Sequence, residues 1–97
     1  MGQVRQREKE EVALTSDYLL GRAAARLKSA KSKVALDGQR LWLKYADEVD
    51  LLTIRFKENP RPTRTEDSGG KGIFYNYEGS RLVSIEIINI TGKYTTA

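Results

Sequence analysis

The chain contains no cysteine and no histidine. Those two absences remove disulfide frameworks, thiolate nucleophiles, the one side chain that ordinarily titrates near neutral pH, and the nitrogen and sulfur ligands that hold zinc, iron or copper. Asp, Glu, Lys, Tyr, Ser and Thr remain for chemistry, and an enzyme built on a carboxylate or a lysine needs a pocket deep enough to move a pKa by several units. A chain of 97 residues has little interior for one, since a unit this short hides only about 60–65% of its extended surface. The expectation is a non-enzymatic protein with no catalytic residue, no cofactor and no metal site.

Long hydrophobic runs are missing as well. A membrane span needs roughly 20 consecutive apolar residues, and no such run occurs. Met1 is followed by a polar, charged stretch from Gly2 to Glu11 in place of the apolar segment of a secretory signal. A cytoplasmic protein without a membrane partner is expected. With 39% hydrophobic and 31% charged residues, the composition is that of a folded soluble domain rather than a disordered chain.

The net charge of +4 is unevenly placed. Between Tyr18 and Leu36 stand Arg22, Arg26, Lys28, Lys31 and Lys33 with no acid among them, whereas from Leu41 onward bases and acids balance. Residues 1–14 form a charged arm in which Arg5, Arg7 and Lys9 alternate with Glu8, Glu10 and Glu11, a self-neutralising run suited to a frayed helix or a disordered segment. Residues 15–97 read as one domain with a short C-terminal tail.

Thr15, Ser16 and Asp17 are good helix N-caps, and the Ala-, Leu-, Arg- and Lys-rich segment behind them predicts a helix over about 17–36. Leu20, Ala23, Leu27, Ala30 and Val34 fall on one stripe of that helix, and Asp37-Gly38 supplies its stop. Over about 41–91, four runs alternate or are rich in β-branched and aromatic residues: 41–45, 51–57, 72–77 and 81–91. Short turns at 46–50 and 78–80 make two hairpins. The longer connection 58–71 holds both prolines, and its residues 63–66 have the makings of an extra strand. The expected fold is α+β, a four-stranded antiparallel β-meander with one N-terminal amphipathic α-helix packed on one face.

Tyr45, Glu48, Asp50, Leu52 and Ile54, then Thr65-Glu66, then a glycine turn and Arg81-Leu82-Val83-Ser84-Ile85-Glu86-Ile87 occur in an order and spacing that resembles the YuzE-like domain of unknown function, a family of small prokaryotic proteins. The resemblance spans about residues 41–90 and leaves the helix outside. It departs from the family pattern at Ala46, where an acid is usual, at Tyr75 and Tyr77, and at Ser84, where glycine is usual. The resemblance implies a small β-rich fold and no established activity, and some members look like antitoxin-type partners in two-gene modules.

Two surfaces invite a binding role. Arg22, Arg26 and Lys33 flank the apolar stripe of the helix and have the charge to meet phosphates, although a solvated helix flank is the plainer reading. Strand alternation places Trp42, Lys44, Thr53, Arg55, Lys57, Phe74 and Asn76 on one side of the sheet. Aromatic residues among bases on an open sheet suit single-stranded nucleic acid, but exposed aromatics more often mark a protein contact or a dimer. A protein partner or homo-oligomer is therefore the leading expectation, and a nucleic-acid binder is the alternative.

Three further patterns read as plain structure. Asp47, Glu48 and Asp50 have oxygen ligands for Ca²⁺ or Mg²⁺ but lack the spacing of a calcium loop, so a solvated turn is expected. Glu86 is expected to pair across the sheet with Arg55 or Lys57. Residues 68–72 have the glycine content of a phosphate loop but precede a strand instead of a helix.

Overall fold

The computed structural model describes residues 15–93, so the charged arm 1–14 and the end of the tail lie outside the described residues. Among these residues one helix, α1 (Ser16–Ser29), is followed by five strands: β1 (Trp42–Ala46), β2 (Leu51–Arg55), β3 (Arg64–Asp67), β4 (Ile73–Glu78) and β5 (Arg81–Ile88). No helix among the described residues is long and apolar enough to cross a membrane.

Helix α1 begins where its sequence signals place it. The Thr15 hydroxyl accepts from the Tyr18 amide at 3.3 Å, and Asp17 in the first turn with Arg26 and Lys28 in the last complement the helix dipole. Its buried residues are Leu19, Ala23 and Leu27, one per turn along a single line. Leu19 thus takes the place expected for Leu20, which packs at the margin with Ala30 and Val34.

The helix ends seven residues before its expected stop. The Ser32 amide donates back to the Leu27 carbonyl at 2.9 Å and the Lys31 amide to the Lys28 carbonyl at 3.0 Å, a Schellman closure around Lys31 at φ 57°. Val34 and Leu36 still pack against the core, but from an irregular segment. Val34, seven residues after Leu27 and four after Ala30, fits the helical stripe, which is why the pattern alone runs the helix on.

The sheet is antiparallel and has five strands in the order β1-β2-β5-β4-β3, not the four of a simple meander. β5 is the longest and most buried strand, with Val83, Ile85 and Ile87 all fully buried, so it takes the centre and is paired on both sides. β3, with four exposed residues, takes an edge. It lies one residue on from the extra strand expected at 63–66, and its polarity suits a strand with one unpaired side.

Register settles the faces. Leu43↔Ile54↔Ile85↔Tyr75 and Tyr45↔Leu52↔Ile87↔Ile73 run across the sheet in two rows on the side that α1 covers. Leu52, Ile54, Ile73, Ile85 and Ile87 have no solvent exposure there, and Ala23, also at zero, lets the helix axis approach closely. Beyond Ile88 the chain turns at Asn89 (φ 54°), and Ile90 folds back into this core.

Candidate interaction surface

The two basic residues on the inner flank of α1 act within the fold. Arg22 Nε donates to the Ile90 carbonyl at 2.9 Å. Arg26 Nη1 donates to the Ile88 and Asn89 carbonyls at 3.0 and 3.1 Å, and its Nη2 to the Lys71 carbonyl at 3.0 Å. These carbonyls lie where β5 ends and pairing stops, so the guanidinium groups supply the donors that a neighbouring strand no longer does. The glycines opposite make room: a Cβ on Gly72 (φ 76°) would meet Arg26 Nη2 and Ile88 Cγ1 at 2.9 Å, and one on Gly92 (φ 80°) would meet Arg22 Nη2 at 3.1 Å.

Lys33 is placed apart from both. With Lys31, Val34, Glu66, Tyr75 and Tyr77 it lines an open groove of about 410 Å³ between the segment after α1 and the β3–β4 side of the sheet. Arg64 stacks on Tyr77, 4.2 Å from the ring centre, and pairs with Glu66 at the same rim. No local pattern signals this groove, because it forms only once the helix stops at Ser29 and β3 pairs with β4.

The acidic turn also differs from its expectation. Asp47 and Glu48 are exposed, and Asp47 pairs with Lys93 at 3.1 Å, but Asp50 is fully buried. Its carboxylate accepts from the Tyr45 hydroxyl at 2.7 Å, the Thr91 hydroxyl at 2.9 Å and the Thr91 amide at 3.1 Å. Burial, with the Asp50 hydrogen bond second, pushes the Tyr45 hydroxyl above its ordinary value. This is a clip that ties β1 to the chain after β5, not a solvated loop. Lys57, expected across from Glu86, pairs with Glu78 at 2.8 Å instead. The Arg61 amide and then Lys57 hold the Glu78 carboxyl below its ordinary value.

The sheet face away from α1 gathers most of the other predicted residues. Register aligns Trp42↔Arg55↔Ser84↔Asn76↔Thr65 in one row and Lys44↔Thr53↔Glu86↔Phe74↔Asp67 in the next, with Ala46↔Leu51↔Ile88 beyond. Trp42, Lys44, Arg55 and Phe74 therefore share a face, and Lys57 lies past the end of β2. In the first row the Thr65 hydroxyl donates to Asn76 Oδ1 at 2.7 Å and Asn76 Nδ2 to Ser84 Oγ at 2.9 Å, a polar ladder that satisfies the buried Asn76 and Ser84. The other side chains of both rows keep solvent exposure, and Ile88 is 45% exposed. Arg40 stacks over Trp42 at 5.0 Å, and Arg55 is steadied by the Glu58 carbonyl at 2.8 Å.

The model of DUF2283, a family of proteins of unknown function, matches residues 42–90. The chain belongs to the DUF2283 family. The DUF2283 segment takes in all five strands and both sheet faces, begins at Trp42 and ends at Ile90, the residue whose carbonyl Arg22 holds. Helix α1 lies outside it and covers one of its faces. No curated protein and no solved structure matches the chain.

Proposed function

We propose that this DUF2283 protein is a non-enzymatic interaction module whose working surface is the sheet face opposite α1. The observation that carries the reading is the division of the sheet. One face is sealed by the helix, and the other presents Trp42, Phe74, Leu51 and Ile88 among side chains of both charge signs. Aromatic and aliphatic groups ringed by mixed charge suit a protein surface. A nucleic-acid face would instead be uniformly basic, and here Glu86 stands in the central strand, while Arg22 and Arg26 already donate to backbone carbonyls. The motif from Tyr45 to Asp50 and the run Arg81 to Ile87 support placement near the YuzE-like members. A regulatory partner in a two-gene module would use the same face.

The test uses Trp42, the only tryptophan in the chain. Single-stranded oligonucleotides added at low salt are expected to leave its fluorescence unchanged, and saturable quenching would move the assignment to nucleic acid. Tagged chain recovered from cells that also make the untagged chain is expected to carry a stoichiometric protein, a second copy or a different chain, that a Trp42→Ala, Phe74→Ala variant loses. Equal recovery by the two chains would remove this face from the function.

A further inference from the structure

We infer that the partner of the helix-free face is a second copy of this chain, packed about a two-fold axis that runs along the strands between β2 and β5; this rests on the proposed role of that face. The bases and acids there are segregated, with Lys44 on β1 and Arg55 on β2 against Glu86 on β5 and Asp67 on β3. An axis perpendicular to the strands would lay like columns over like. An axis along the strands exchanges the two halves, so that base meets acid.

Its position follows from the register. An axis through β5 itself would bring the two Glu86 carboxylates face to face, whereas one strand-half toward β2 superposes β5 on the second copy's β2 and β4 on its β1. Glu86 then lies over the second copy's Thr53, with Lys44 beside Thr53 in the same row and Arg55 two residues along β2. Phe74 lies over the aliphatic stem of Lys44, and Trp42 over the amide of Asn76. The axis repeats every contact, so each copy both gives and receives one carboxylate between two bases.

Sheets packed in this way stand about 10 Å apart, a gap that Trp, Phe, Arg, Lys and Glu can fill. Four strands of each copy overlap, a patch only about 14 Å across and about 17 Å along the strands, which is smaller than the roughly 800 Å² per partner of a standard interface. The dimer is accordingly weak, and it loosens as salt screens its ion pairs.

Sedimentation or light scattering over a concentration series tests this by charge exchange. Glu86→Lys alone should weaken dimerisation at least about tenfold by leaving three bases on the face, and Lys44→Glu with Arg55→Glu should do the same by leaving only acids. An equal mixture of the two variants should dimerise again at close to the wild-type Kd, because both ion-pair sets are restored in the heterodimer. Misfolded variants could not rescue each other. If the mixture stays monomeric while each variant retains its circular dichroism, this geometry is overturned. Wild type that remains monomeric at about 1 mM overturns the second copy as occupant and leaves the face to a different protein. A dimer in which acrylamide still quenches Trp42 as in the monomer overturns both this inference and the assignment of the face.

Discussion

Asp50 has zero solvent exposure, yet it meets no base in its hydrogen-bonded shell: its carboxylate oxygens are held by the Tyr45 hydroxyl and by the hydroxyl and amide of Thr91. Its own backbone, at φ 52°, closes the β1–β2 turn, and its carbonyl receives the Ile90 amide at 3.1 Å. Replacement by alanine would strand three partly buried donors and place a residue with no local hydrogen-bonding side chain in the left-handed region. The expected cost of Asp50→Ala is about 2–3 kcal/mol, read as a lower midpoint in urea. Asn tolerates the backbone but presents an amide N–H₂ to one of the donors, so Asp50→Asn should recover only part of the loss. The same cluster sets an alkaline limit. Tyr45 has its pKa raised in the folded state, so the neutral phenol is the favoured form. Its contribution is complete below the ordinary tyrosine value of about 10 and is lost as pH rises through the higher folded value. Ultraviolet titration should therefore find one tyrosine ionising late, and Tyr45→Phe should remove that transition together with the associated fall in stability at high pH. A late transition that survives Tyr45→Phe would assign the shift to another residue.

The end of α1 is decided by hydrogen bonds that a stripe of apolar residues does not reveal. Lys31 occupies the left-handed position of a Schellman closure, where glycine is usual and a residue with a Cβ costs about 1 kcal/mol or more. Lys31→Gly should relieve that strain. Since glycine also frees the unfolded chain, the net gain should be about 0.5–1 kcal/mol, a rise of a few degrees in the thermal midpoint. An unchanged or lower midpoint would show that the lysine side chain contributes more here than the strain removes. Had glycine stood at this position, the helix end would have been readable in the sequence; as it was, Gly38, also at positive φ, sits in a later turn and drew the boundary with it. Other elements were legible because their signal is local. Alternation in β1, β2 and β5 gave the correct faces, and Trp42, Lys44, Arg55 and Phe74 came together through it. The partners of Arg22 and Arg26 were not legible, since the β5-end carbonyls lie 62 to 68 residues away in the chain. Nor was the central place of β5 or the burial of Asp50, each of which depends on pairings between distant segments.

At the scale of the whole molecule, β1 and β3 are the sheet's edges among the described residues, and they are guarded unequally. An open edge offers unpaired N–H and C=O groups to any other strand, and natural sheets block this with charge, above all lysine. β3 carries Arg, Thr, Glu and Asp, all exposed. β1 reads Trp-Leu-Lys-Tyr-Ala, and Lys44 is its only exposed residue. Without that charge, β1 would be a short apolar, aromatic strand on an open edge, the composition that nucleates cross-β association. Lys44→Val should therefore produce a chain that folds at low concentration but forms thioflavin-positive aggregates on standing. Glu66→Val on β3 should stay soluble, because Arg64, Thr65 and Asp67 remain around it. Lys44→Glu keeps a charge at the edge while reversing its sign on the face, so it should weaken the dimer without aggregating. The two Lys44 variants thus separate the edge from the face: one controls strand addition in the plane of the sheet, the other controls packing across it. Equal aggregation of the Val and Glu variants would mean that the lysine protects the sheet through its face contacts and not as an edge guard.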